Sequence, residues 1–474
     1  MQEDVLSEDV RQARGLFVEA LGAFRRNFLL VLGSIAWWGS HYLLLWNARI
    51  ASVDSFISGY DGRFVLTLAG TVVALGVMAV VSWRKLRFEF AAWRGTYLIF
   101  AICTSGALGL LLLSSFSGAN PLTGAVGAVL SGVGNSFALV LYGELHARMG
   151  YRYMPMAFAV ESVAGVALFL LFSRLSVVIE MLGAAAFVLG AAALFFAYAR
   201  SRQRSAVAED VLPRTRVDMT VKPLVVLAVL TGFAYGLIHT FAIGGLDEAS
   251  IQRGMESECL GACICALLLV AVFFLQNRQS LFEQCLLFVV PLVATGMLLV
   301  SLQGVNATVP MAINTGGFAC FFNLMWYFAA VLAVHDRRHG LTFLVALLFF
   351  SSQVGQLLGA LVPAHFSNAF SSGLMYLLLL AVTLLMYWRA KALRSKGEPA
   401  DDTADQWAER FGFSPREVEI VALLMKRTPY RQIGEQLFVS DNTVKTHVRN
   451  IYKKADVSSR EELLEKLSDV AKKG

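Results

Sequence analysis

Near the C-terminal end of the chain, Asn442, Thr443, Lys445, Thr446, Arg449 and Lys453 recur at helical spacing. Wound as a helix, Asn442, Lys445, Thr446, Arg449 and Lys453 share one angular sector, and the lone acid Asp441 falls at the helix start, where the dipole favours it. Lysine and arginine neutralise phosphates and reach guanine edges in a major groove, while asparagine and threonine make shorter polar contacts. The chemistry open to this face is recognition of a double-stranded polyanion rather than bond making. A second set of polar groups lies inside apolar runs: Glu161 midway along one of them, with Trp37, Trp38, Asn135, Tyr235, Asn314, Asn323, Gln353 and Gln356 in others. An ionisable side chain in hydrocarbon is costly unless it has a task or a partner, so these residues are candidates for contact with an unknown small molecule.

Catalysis is not expected. No Gly-rich phosphate loop, paired carboxylates or phosphoacceptor domain is legible, and no cofactor is implied. The six cysteines fall inside or at the ends of apolar segments. Cys259 and Cys263 could share a helix face, but small residues in membrane helices generally serve close packing, and no metal is expected.

The elements that must hold these groups follow from hydropathy. With 57% hydrophobic and 16% charged residues, most of the chain belongs in lipid, and runs able to cross a hydrocarbon core of ~30 Å are the natural unit. Windows give two groups of six spans: 28–46, 64–83, 97–116, 122–142, 154–172 and 177–198, then 224–241, 259–275, 286–302, 309–334, 341–361 and 374–388. The predicted organisation is a cytoplasmic segment 1–27, spans one to six over 28–198, a basic linker 199–222, spans seven to twelve over 223–388, a polar linker 389–410 and a soluble domain 411–474. Alternate loops differ sharply in Lys and Arg, the linker alone carrying Arg200, Arg202, Arg204, Arg214, Arg216 and Lys222. That bias puts both termini in the cytoplasm of a multi-pass protein of the cell (inner) membrane, with lipids as its surroundings.

Residues 411–474 have the pattern of a four-helix domain. Ser414-Pro415-Arg416-Glu417 combines a capping Ser, a Pro at the first helical position and a Glu three residues on. The helix it opens is expected to bury Val418, Val421, Ala422 and Met425. A second helix, about 430–438, turns Ile433 and Leu437 inward. A third, about 441–454, is capped by Ser440 and buries Val444, Val448 and Ile451. A fourth begins at a second capping box, Ser459-Arg460-Glu461-Glu462, and buries Leu463, Leu464 and Leu467.

From Phe413 to Leu467 the sequence resembles the LuxR-type (GerE-like) helix-turn-helix family, through Ser414-Pro415-Arg416-Glu417, Ile433, Leu437-Phe438-Val439-Ser440, Asn442-Thr443-Val444-Lys445-Thr446-His447-Val448, Ile451, Lys454 and Val457-Ser458-Ser459-Arg460. The resemblance implies transcriptional regulation, base contacts at Lys445, Thr446 and Arg449, phosphate contacts at Asn442, Thr443 and Lys453, and a homodimer through the helix starting at Ser459. His447 reads as structural. Arg427, Gly434 and Asp456 depart from the family's Gly, Ala and Gly.

The two groups of six spans resemble the major facilitator architecture in topology. The loop Trp83-Arg84-Lys85-Leu86-Arg87-Phe88 lacks the Gly and Asp of that family's signature. The reading that follows is an all-α, polytopic helical bundle joined to a small helix-turn-helix domain. It is a membrane-embedded regulator that senses a small molecule and binds promoter DNA. A secondary transporter with an attached regulatory domain is the alternative.

Overall fold

Backbone in hydrocarbon has no water to satisfy its N–H and C=O groups, so a run that crosses a membrane closes its hydrogen bonds within itself as a helix. In the computed structural model the protein is all-α, with no strand among the described residues. Those residues are 2–45, 62–84, 88–116, 120–201, 221–243, 248–275, 308–335, 339–362, 411–425, 428–437 and 441–473, with isolated positions at 291, 293, 295, 373, 377, 380, 384, 407 and 410. The chain divides into two compact units, Met1–Met386 and Tyr387–Gly474.

In the first unit the described helices are α1 (Gln2–Arg26), α2 (Phe28–Leu45), α3 (Gly62–Arg84), α4 (Arg94–Phe116), α5 (Pro121–Met149), α6 (Met154–Phe172), α7 (Val177–Ser201), α8 (Val221–Ile243), α9 (Glu248–Leu275), α10 (Thr308–His335) and α11 (Leu341–Ala360). Among the described residues, α3 to α7 and α9 to α11 are long and apolar enough to cross a membrane, and α2 and α8 hold shorter apolar stretches. The ninth and twelfth expected spans, 286–302 and 374–388, lie outside the described residues apart from isolated helical positions. Large apolar side chains face outward along these helices, Leu267 being 72% and Ile102 68% exposed. Apolar side chains exposed in such number suit acyl chains and not water. The protein is a multi-pass membrane protein.

The N-terminal segment is itself a helix. Asn27 separates α1 from α2, donating from Nδ2 to the Ala23 carbonyl at 2.7 Å and accepting from the Tyr198 hydroxyl at 2.8 Å. Leu16 and Ala20 of α1 are buried against Met156 and Phe273.

Where helices cross closely, glycine makes the approach possible. Gly355-Gln-Leu-Leu-Gly359 of α11 meets Gly232-Phe-Ala-Tyr-Gly236 of α8. A Cβ on Gly355 would fall 2.1 Å from the Val229 oxygen, and one on Gly236 would fall 2.1 Å from the Gln356 oxygen. Two small-xxx-small motifs therefore pack backbone to backbone. The two groups of helices join where α11 lies on α3 and α6 lies on α9.

The second unit contains α12 (Pro415–Met425), α13 (Tyr430–Leu437), α14 (Asp441–Ala455) and α15 (Arg460–Lys473). Its core combines Ile420, Val421 and Leu424 of α12 with Ile433, Val444, Val448, Ile451, Ala455, Leu463 and Leu467. Two expectations are corrected here. The α12 stripe centres on Ile420, Val421 and Leu424 rather than on Val418, Ala422 and Met425, which are only half-buried. The cause is that α12 is covered by both α14 and α15, which widens its buried arc. Leu464 is likewise half-buried, not part of the sealed core. Trp407, read from sequence as linker, and Phe413 complete the cluster.

Candidate DNA interface and buried polar clusters

The third helix of the second unit is held by its neighbours' charges. Ser414 and Glu417 form the capping box: the Ser414 amide donates to Glu417 Oε2 at 2.7 Å, and the Glu417 amide donates to Ser414 Oγ at 3.3 Å. Lys454 of α14 then donates to the same Oε2 at 2.6 Å and to the Gly412 carbonyl at 2.9 Å, which fastens α14 across the start of α12. Burial pushes the Glu417 carboxyl up, but the bonds from Lys454 and Ser414 outweigh it and hold the group below its ordinary range.

Basic side chains also close helix C-termini, where unpaired carbonyls and the dipole favour cations. Arg416 donates to the Leu437 carbonyl at the end of α13. Arg460 donates to the Leu424 carbonyl of α12 at 2.9 Å, and Lys466 to the Ala455 carbonyl of α14 at 2.8 Å. Helix α14 itself ends in a Schellman motif: the Val457 amide donates to the Tyr452 oxygen at 3.0 Å and the Asp456 amide to the Lys453 oxygen at 3.4 Å. The fourth helix starts on its expected box with one change. Glu462 accepts from the Ser458 amide at 2.7 Å, while its own amide donates to Ser459 Oγ at 3.1 Å.

With its inner side fixed by Val444, Val448 and Ile451, α14 exposes Asn442, Lys445, Thr446, Arg449 and Lys453, while Thr443 and His447 are half-buried. Thr446 donates its hydroxyl to the Asn442 carbonyl at 2.9 Å and keeps its acceptor lone pairs. Among the described residues no acid forms an ion pair with Arg449 or Lys453. Ser440 and Arg427 lie outside the described residues.

In the first unit the candidate residues separate into distinct places. Glu161 of α6 is fully buried, and both its carboxylate oxygens are engaged by α5: Tyr142 Oη donates to Oε2 at 2.5 Å, and His146 Nε2 lies 3.1 Å from Oε1. His146 Nδ1 lies 2.8 Å from the Tyr142 carbonyl. Trp38 donates to Tyr142 Oη at 3.3 Å, and Trp37, Trp326 and Phe158 enclose the group with ring centroids 4.5–5.2 Å from Tyr142. Trp326 is anchored across the halves by donation to the Leu139 carbonyl at 2.8 Å. Asn135 lies elsewhere, lining a small cavity with Trp37, His41 and Thr104.

Tyr235 belongs to a different cluster. It stacks on Phe318 at 4.2 Å and donates to Glu258 Oε1 at 3.3 Å; Thr315 donates to the same oxygen at 3.1 Å. Asn314 is fully buried with neither amide atom hydrogen-bonded, whereas Asn323 donates to the Ala319 carbonyl at 2.8 Å. Gln353 and Gln356 are buried in α11, Gln356 at the crossing with α8. Sequence reasoning missed His146 and Glu258 because both fall just beyond the span edges drawn from hydropathy.

It also missed Glu144, near the end of α5. This carboxylate accepts from the amides of Phe90 at 3.1 Å and Ala91 at 2.6 Å and from the hydroxyl of Thr342 at the start of α11. Glu144 of α5 thus ties Phe90 and Ala91, ahead of α4, to the start of α11 in the other half.

This arrangement defines a helical membrane protein carrying a DNA-binding module of the LuxR type. Residues 412–467 match the family described as GerE, bacterial regulatory proteins, luxR family. The same region is similar to the transcriptional regulatory protein LiaR of Bacillus subtilis (strain 168), 49% identical over 45 residues; the match spans 10% of this chain and 21% of LiaR. The rest has the fold of major facilitator transporters. The human organic anion transporter MFSD10 (TETRAN) aligns with TM-score 0.56 at 12% identity, covering 78% of this chain and 99% of that one. The proton:xylose symporter XylE, of the major facilitator superfamily, aligns with TM-score 0.52 at 13% identity over 77% and 95% of the two chains.

Proposed function

We propose that this protein is a membrane-embedded, one-component transcriptional regulator, in which the major facilitator-type unit senses a small molecule and residues 411–474 bind promoter DNA as a dimer. One observation carries the reading: a single chain joins that membrane fold to a LuxR-type domain whose third helix turns Asn442, Lys445, Thr446, Arg449 and Lys453 outward. No catalytic step or cofactor is part of it. The Lys and Arg bias of the loops supports a cytoplasmic position for both termini in the inner membrane. A reporter fused after Gly397 is expected to work only in the cytoplasm, and a periplasmic signal there would end the proposal.

The direct test is DNA binding by the full chain in nanodiscs, on preferred and scrambled duplexes over a range of salt. Replacing Arg449 with Ala is expected to cost ~1–3 kcal/mol at the preferred site if it pairs with a guanine. Lys453→Ala, removing a phosphate contact, should weaken all sequences alike and reduce the salt slope by about one unit. Equal affinity of the wild type and a Lys445→Ala, Arg449→Ala double variant would overturn the assignment of α14. The rival, a transporter with a regulatory appendage, rests on the fold it shares with transporters. Substrate uptake into proteoliposomes separates the two.

A further inference from the structure

Three acids held by the helices of the first unit are not equivalent: Glu161 and Glu144 are buried and Glu258 is part-buried. Both oxygens of Glu161 are taken, by Tyr142 and His146. Both oxygens of Glu144 are taken too, by two amides and Thr342. Glu258 differs, because Tyr235 and Thr315 both donate to Oε1, and among the described residues Oε2 accepts nothing and no Lys, Arg or His pairs with it. Part-buried within a membrane fold, this carboxylate keeps one oxygen open to a partner and has no counter-charge among the described residues.

Its surroundings indicate what would supply that charge. Tyr235, whose hydroxyl meets the acid, stacks its ring on Phe318, and Tyr42 of α2, in the other half, lies within electrostatic reach of both Glu258 and Tyr235. Aromatic faces attract cations and repel anions. A second open group is nearby: Asn314 stands one turn from Phe318 on α10, fully buried, with neither its amide oxygen nor its amide nitrogen bonded. Buried amides are normally satisfied, and one that is not points to a missing polar partner.

We infer that Glu258, Tyr235, Thr315, Phe318, Tyr42 and Asn314 form a binding site for an organic ammonium ion, its charge on Glu258 Oε2, its apolar body against the rings and a hydrogen-bonding group on Asn314. The inference rests on the sensing reading for its biological role but not for its chemistry. Neutral and anionic molecules of the same shape lack the charge that completes the acid.

The test uses the full chain in nanodiscs, titrated with 2-phenylethylammonium, benzyltrimethylammonium and hexylammonium and, as controls, with 2-phenylethanol and phenylacetate, followed by tryptophan fluorescence and calorimetry. At least one ammonium ion is expected to bind, and Glu258→Gln to weaken it by about tenfold or more, the scale of a lost charged contact. Glu258→Asp should recover part of that loss, and Glu144→Gln, at an acid whose oxygens are already satisfied, should leave the affinity unchanged. Size exclusion and circular dichroism establish that each variant is folded. Should Glu258→Gln not fold, Tyr235→Phe and Thr315→Val, which alter only the groups holding the carboxylate, must each weaken binding. No binding by any of the ammonium ions, or binding indifferent to these substitutions, would overturn the site, as would tighter binding of 2-phenylethanol than of 2-phenylethylammonium. Cation binding that leaves a promoter reporter silent would instead overturn the sensing reading and keep the site.

Discussion

At Asp456 the backbone takes φ = +52°, a left-handed conformation that an L side chain adopts at a cost and that glycine adopts freely. The residue sits at the C′ position of the Schellman motif closing α14, where glycine is the usual occupant. Asp456→Gly is therefore expected to stabilise the C-terminal domain by about 0.5–1 kcal/mol, less whatever entropy the unfolded chain gains. Urea unfolding of residues 401–474, which carry their own buried core, would measure it; a loss of stability would show that the aspartate side chain compensates. At Glu417 the sign runs with pH. Its folded-state pKa lies below its ordinary value near 4.5. The stability it contributes is thus complete above that value and is lost as pH falls through the depressed one. Replacing Glu417 with Gln should destabilise the domain at neutral pH and flatten its acid limb, and an unchanged limb would remove Glu417 from the account.

Among elements, the α8–α11 crossing depends on the absence of side chains at four glycines. A methyl at Gly355 overlaps the Val229 carbonyl, and backbone cannot swing aside as a flexible side chain would. Gly355→Ala should therefore cost about 1–3 kcal/mol, the usual scale of overpacking. At Gly190 nothing lies within 4 Å of an added Cβ, so Gly190→Ala should be neutral or mildly stabilising. Melting curves of the detergent-solubilised chain compare the two, and equal Tm values would contradict the tight crossing. The apolar helices among the described residues were legible in sequence, because lipid allows an apolar run few alternatives to a helix, whereas α1 was not read as one. The outward side of α14 was legible as well, since Val444, Val448 and Ile451 fix which side turns out. The polar clusters were not. Tyr142 meets Glu161 and Thr342 meets Glu144 only after distant segments pack, and hydropathy windows stop short of His146 and Glu258. The α12 stripe was misplaced for a related reason: periodicity gives one buried face, whereas two covering helices bury more.

For the whole molecule, the proposed promoter binding sets a requirement on specificity. A single LuxR-type domain offers one recognition helix, and the phosphate attraction it makes is indifferent to sequence. Specificity sufficient for regulation comes more readily from two domains on an inverted repeat, because each half-site then contributes its own base contacts. Confinement to a membrane raises the effective concentration of a second copy beside the first, so a weak contact between domains can suffice. Helix α15 offers such a contact: Leu463 and Leu467 are sealed in the core, but Leu464 remains half-exposed beside them. Full-length protein in nanodiscs is therefore expected to bind an inverted repeat at least about tenfold more tightly than a single half-site, about 1.4 kcal/mol of added free energy. Leu464→Glu, which puts like charges at the contact without entering the core, should abolish most of that gain while leaving half-site affinity intact. Anisotropy titrations on the two duplexes decide it. If Leu464→Glu weakens both duplexes equally, α15 supports the fold of one domain and does not join two.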